Sequence, residues 1–121
     1  MAETPPQIFV TNIGVITNAC LPLFKVPAGF GGITLIEAQE TFYTVGTAQL
    51  YLIDAGTVGT ATGADGTLAT GGGTAHTAKT PIAFAMTTPY LEEGHYLAVK
   101  ESNIGSTVTI SEIAITYVWG K

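Results

Sequence analysis

Apolar and polar residues alternate along most of this chain, and the clearest run is at its end. Residues 107–119 read T-V-T-I-S-E-I-A-I-T-Y-V-W. Side chains in a strand point to opposite faces at period two, so the run predicts a half-buried β-strand. β-Branched and aromatic residues fill it, as a pleated surface favours. The alternation changes phase within the run. Val108 and Ile110 are apolar on even positions, whereas Ile113, Ile115, Tyr117 and Trp119 are apolar on odd ones. A phase slip needs an extra residue, which predicts a β-bulge or a sheet crossing at Ser111-Glu112. So apolar a strand belongs inside a sheet rather than at its edge.

The same pattern, punctuated by turns, recurs upstream. Ile8 to Ile16 predicts a first extended segment after the stiff Pro5-Pro6. Leu21 to Val26 predicts a second, and Pro22 assigns it to an edge or a strand start. Pro27-Ala28-Gly29 is a turn. Ile33 to Thr41 predicts a third strand, with Ile33, Leu35 and Glu37 on one face and Thr34, Ile36 and Ala38 on the other. Thr47 to Ile53 predicts a fourth, with Ala48, Leu50 and Leu52 opposing Gln49, Tyr51 and Ile53.

Beyond Asp54 the chain turns to Gly, Ala and Thr as far as Thr80. Gly63-Ala64-Asp65-Gly66 reads as a hairpin loop within this stretch. With so few bulky groups, residues 55–80 are expected to form an arm or hairpin ordered by a neighbour. Pro81 to Met86 resumes a core strand, with Ile82, Phe84 and Met86 on one side. Thr88-Pro89, followed by Glu92 and Glu93, is compatible with one capped helical turn. Gly94 to Glu101 predicts another strand before the last one. About eight short strands without a long helix indicate an all-β antiparallel sandwich, jelly-roll-like, in a single domain spanning residues 1–121.

Composition narrows the function. Only 11% of residues are charged, against 46% hydrophobic. Typical soluble domains carry about 25% charged residues. A surface this poor in charge is expected to be partly covered by other copies or by a larger body. The basic residues are Lys25, Lys79, Lys100 and Lys121; there is no arginine, and the formal net charge is −5. Phosphate contacts need clustered Lys or Arg, so nucleic acid is not expected as a partner, nor is an anionic membrane. No run approaches the ~20 apolar residues of a membrane span. Met1-Ala-Glu-Thr-Pro-Pro lacks the basic and apolar regions of a secretory leader, so the chain reads as a complete product made in the cytoplasm.

Candidate chemistry is sparse. Cys20 is the single cysteine, sits in C-L-P-L-F, and reads as a small buried hydrophobe. His76 and His95 have no histidine partner at metal-ligand spacing. Asp54, Asp65, Glu92 and Glu93 could offer oxygens to calcium, but they lack the spacing of an EF-hand loop. Glu92-Glu93 as a glycosidase acid–base pair would need to converge on one cleft. Gly71-Gly72-Gly73 lacks the Lys-Ser/Thr of a phosphate loop. Tyr43, Tyr51, Tyr90, Tyr96 and Trp119 are candidates for stacking on sugar rings. No catalytic, metal or cofactor residue is assigned, and no cofactor is expected.

F-K-V-P-A-G-F-G-G-I-T-L at 24–35, L-Y-L-I-D at 50–54, E-E-G-H-Y-L-A-V-K-E-S-N at 92–103 and the ending I-T-Y-V-W-G-K carry a resemblance in style. The chain resembles the small jelly-roll accessory proteins that decorate the virions of tailed phages. The resemblance implies a non-enzymatic virion protein, made in the host cytoplasm. It would dock as a homo-oligomer, with a trimer favoured, on the major capsid protein or another virion protein. The family has no catalytic residues to carry over. A carbohydrate- or receptor-binding module of a fibre or tail tip is the alternative, and an enzyme domain is a third class.

Overall fold

The computed structural model describes residues 5–12, 20–42, 50–58, 66–71, 79–101 and 110–121. Among them the chain forms ten strands and no helix: β1 Gln7–Thr11, β2 Cys20–Lys25, β3 Ile33–Phe42, β4 Leu50–Asp54, β5 Thr67–Thr70, β6 Ile82–Ala83, β7 Ala85–Met86, β8 Tyr90–Leu91, β9 Tyr96–Glu101 and β10 Ile110–Trp119. They build two antiparallel sheets. One has the order β1-β10-β3-β6, with β8 also on β3; the other runs β2-β9-β4-β5-β7. Successive strands alternate between the sheets except for β4 and β5, which are neighbours in the second, and the first pairs with the last while the second pairs with the next to last. That winding is a jelly roll.

The expected all-β sandwich is present, and the last strand is internal, between β1 and β3. Pro22 lies in β2, an edge strand, where its missing N–H costs no ladder bond. The bulge expected at Ser111-Glu112 is there: Ile110 pairs with Phe42 and Glu112 with Thr41, so Ser111 is the extra residue.

A second irregularity overturns the expected faces of β3. Thr116 pairs with Glu37 but Tyr117 with Leu35, which leaves Ile36 as an extra residue. Past it the phase inverts. Ala38, Glu40 and Phe42 join Ile33 and Leu35 among the buried residues, while Glu37 is exposed. Both bulges change side-chain phase within long strands, as an inserted residue must.

The stretch 81–86 also departs from a single strand. Ile82-Ala83 pairs with β3 in one sheet and Ala85-Met86 with β5 in the other. Phe84 sits at the crossing and is buried. Ile82, Phe84 and Met86 still share the more buried side, as alternation predicts. No helical turn follows Thr88. Its hydroxyl instead donates to the Thr67 carbonyl at 2.8 Å, and Tyr90-Leu91 is extended. These short pieces raise the strand count from about eight to ten.

Part of the Gly/Thr/Ala-rich stretch belongs to the sandwich itself. Its described middle, Thr67–Thr70, is strand β5 of the chain's own sheet, paired with β4. Leu68 and Ala69 supply the apolar anchors and are buried in the main core. Residues 59–65 and 72–78, which would carry the rest of an arm, lie outside the described residues.

The core lies between the sheets. Ile33, Leu35, Phe42, Leu50, Leu52, Leu91, Leu97, Val99, Ile113 and Ile115 are all buried within it. A smaller cluster of Ile53, Ala55 and Ala98 packs on the outer side of the second sheet beneath Tyr51 and Tyr96. The opposition of Leu50 and Leu52 to Tyr51 and Ile53 is the one read from the sequence.

Candidate functional site

The polar side chains of interest gather at one end of the sandwich. Three connections meet there, each held by main-chain bonds. Val26 N donates to His95 O at 2.9 Å, and Gly94 N to Val26 O at 2.8 Å. Ala55 N donates to Tyr96 O, and Tyr96 N to Gly56 O, both at 2.9 Å. These bonds follow from strand pairing: Lys25 faces Tyr96 and Asp54 faces Leu97, so β2, β9 and β4 end together.

Within this frame His95 lies between two carboxylates. Its Nδ1 stands 2.8 Å and 3.0 Å from the Asp54 oxygens, and its Nε2 stands 3.1 Å from Glu92 Oε1. Asp54 Oδ1 also accepts the Gly56 N–H at 2.8 Å, a turn that Asp followed closely by Gly favours. Both ring nitrogens can donate at once only from the imidazolium. The two carboxylates address opposite edges of the ring, so they do not converge on a common point where a cation would sit. Among the described residues no group of three or more His, Cys, Asp or Glu side chains could hold a metal ion.

Glu92 and Glu93 go separate ways. Glu93 Oε2 accepts the Gly29 N–H at 2.8 Å, tying the turn after β2 to the turn before β9. Acid–base chemistry needs both carboxyls on one substrate; here one carboxylate serves a ring and the other an amide. The cluster therefore works as a clasp joining three turns.

The aromatic residues form a row along the sandwich. Phe9 meets Phe24 with ring centroids 4.9 Å apart, and Phe24 meets Tyr117 at 5.8 Å. Tyr117 meets Trp119 at 5.6 Å, and Trp119 meets Phe30 at 4.5 Å. The row ends at Phe30, which is 54% exposed. The loop carrying Phe30 is held to the chain end: Gly120 N donates to Gly32 O at 2.7 Å, and the Tyr90 hydroxyl to Gly31 O at 2.8 Å. Gly32 has φ +85°, and a Cβ there would stand 2.6 Å from the Leu91 carbonyl, so only glycine fits.

Of the aromatic candidates, Trp119 belongs to this row. Tyr51 and Tyr96 cover the outer cluster of the second sheet, and Lys121 Nζ lies 5.0 Å from the Tyr90 ring. Tyr43, His76 and Asp65 lie outside the described residues, as does the side chain of Cys20. Phe30 escaped the sequence reading, because nothing in P-A-G-F-G-G distinguishes an exposed Phe from a buried one. No family model, curated protein or solved structure matches the chain.

Proposed function

We propose that this chain is a non-enzymatic structural protein of a phage virion, which decorates or cements a capsid shell as a homo-oligomer. Its partner is then the major capsid protein or another virion protein, and its place is the assembled particle. The observation that carries the reading is the outer face of the β1-β10-β3 sheet. Ile8, Val10 and Ile36 are 71%, 52% and 50% exposed on it. Single exposed aliphatics are ordinary; three on one face of a chain with 11% charged residues support a contact surface. The jelly-roll winding agrees with the resemblance but hosts many functions, so it adds only consistency. Linked copies clamping adjacent shell subunits would hold far more strongly than one contact alone.

The test adds purified protein to particles that lack it. Saturable occupancy and a higher disruption temperature are expected. Absence of shell binding overturns the reading.

One observation favours the carbohydrate- or receptor-binding alternative. Phe30 lies against Trp119 at the end of the aromatic row and offers a half-exposed ring at a loop tip. Saturable binding to a host glycan, lost in Phe30→Ala while the fold persists, would establish it.

A further inference from the structure

We infer that copies of this chain associate head to tail. The outer face of the β1-β10-β3 sheet of one copy docks on the outer face of the β2-β9-β4 sheet of the next. The inference rests on the homo-oligomeric part of the proposed function and on nothing about a particle.

The two faces carry opposite charge. Glu37 and Glu112 are exposed on the first sheet, around the apolar Ile8, Val10 and Ile36. On the second, Lys25 pairs across strands with Tyr96, and Lys100 with Tyr51; both tyrosines cover the outer cluster, which puts both lysines on that outer face.

The spacing of the charges matches. Glu37 is in register with Thr116 on the neighbouring strand, and Glu112 lies four residues before Thr116 on that strand. Lys25 is in register with Tyr96 on the neighbouring strand, and Lys100 lies four residues after it. Each pair is thus separated by one strand and four residues, about 13 Å along and about 5 Å across. On β10, 112–116 runs regularly against β3, and on β9, 97–100 runs regularly against β4, while β2, which carries Lys25, has Leu23 as an extra residue between Pro22 and Phe24. The same-face residue midway on each of these strands is an alanine: Ala114, paired with Gln39, whose amide donates to Glu37 Oε1 at 3.2 Å, and Ala98, buried beneath Tyr51 and Tyr96. A face-to-face contact can therefore set Glu37 and Glu112 on Lys25 and Lys100 together. Charge of this kind selects partner and register more than it supplies affinity, which would come from the exposed aliphatics and the tyrosines.

A symmetric contact of the acidic face with itself would instead set Glu37 and Glu112 against glutamates, with Lys121 only at the rim of that face beside Tyr90, which is disfavoured. The contact is accordingly heterologous. The two faces lie on opposite sides of the sandwich, so every added copy offers one fresh acidic and one fresh basic face. Such stacking grows with concentration, whereas a threefold cluster of the kind the resemblance implies would close at a fixed mass.

The test is sedimentation equilibrium of the full chain without particles, using E37K/E112K, K25E/K100E, their equimolar mixture and the chain bearing all four changes. All four side chains lie at the surface, and circular dichroism confirms that each variant folds. Wild type is expected to associate with rising concentration. Each double variant should dissociate at least about a hundredfold more readily. The mixture should again grow with concentration, as alternating copies, since one contact between the two variants keeps the native charges and the next has them exchanged. The fourfold variant should regain association, because the charges are exchanged. A wild type that stays monomeric, or a closed oligomer indifferent to the reversals, overturns the inference. Association restored in the fourfold variant without any shell binding by wild type would sink the virion reading alone.

Discussion

Gly71 lies directly against Glu40. A Cβ on Gly71 would stand 3.0 Å and 3.1 Å from the two Glu40 carboxylate oxygens and 2.8 Å from the Leu50 carbonyl. Glu40 is fully buried between the sheets. Gly71 N also donates to that same Leu50 carbonyl at 2.8 Å, so the backbone is drawn in close. The Glu40 head could swing only within a closed core, and the Leu50 carbonyl is main chain. Gly71→Ala should therefore destabilise the fold by about 1–3 kcal/mol, as overpacking does. Urea unfolding measures it, and an unchanged midpoint would refute the close approach.

The clasp at His95 predicts unequal costs for its two carboxylates. Asp54 holds both the ring and the Gly56 amide, and its side chain is 17% exposed; Glu92 is 61% exposed. Asp54→Ala leaves a half-buried amide and a ring nitrogen without their acceptor, and should cost about 1–3 kcal/mol. Glu92→Ala removes an exposed contact and should cost under about 1 kcal/mol. Amide exchange at Gly56 should quicken in the first variant and not in the second. Equal losses would show that the clasp does not act through Asp54.

The sandwich was legible in the sequence, and one of its two long-strand bulges was too. At Ser111 the apolar pattern itself slips, because the residues on either side of it are apolar on opposite parities. At Ile36 it does not: Ile33 and Leu35 favour one phase, Ile36 and Ala38 the other, and an apolar bulge residue hides the slip. The exposure of Ile36, at 50%, is set by pairing with β10 and not by its own neighbours in sequence. Tertiary pairing also hid the His95 clasp. Asp54 and His95 are 41 residues apart and meet because β4 and β9 end together. The Asp-Ala-Gly turn signal at Asp54 was readable, but its second role was not. The aromatic row draws on β1, β2, β10 and a loop, so no local spacing reveals it.

At the exposed end of that row, two substitutions should separate stability from binding. Trp119 touches both Phe30 and Tyr117, whereas Phe30 touches Trp119 and is 54% exposed. Trp119→Ala should cost more than about 2 kcal/mol, approaching the range for large buried aromatics. Phe30→Ala should cost about 0.5–1.5 kcal/mol, the order of a single aromatic pair. Thermal unfolding of both variants checks the ranking. A Phe30→Ala variant as damaged as Trp119→Ala would mean that the loop is part of the core, which would weaken its use as a stacking ring.

Phe84 should be the most sensitive single position outside the long strands. It stands where the chain leaves one sheet for the other, between Ile82-Ala83 on β3 and Ala85-Met86 on β5. Its N–H donates to the Ala38 carbonyl at 2.8 Å, so the main chain is fixed at the crossing, and its ring is 6% exposed in the central cluster. Two-residue strands contribute few ladder bonds, so the ring must supply much of what holds both sheets to this segment. Phe84→Ala should cost about 3–5 kcal/mol, the usual loss for a buried Phe. Phe84→Leu keeps most of the apolar volume and should recover more than half of that. Exchange at the amides of Ala83 and Met86 should rise together in Phe84→Ala, since one anchor serves both strands. If only one of those amides loosened, the two short strands would be held independently and the ring would not be their common anchor.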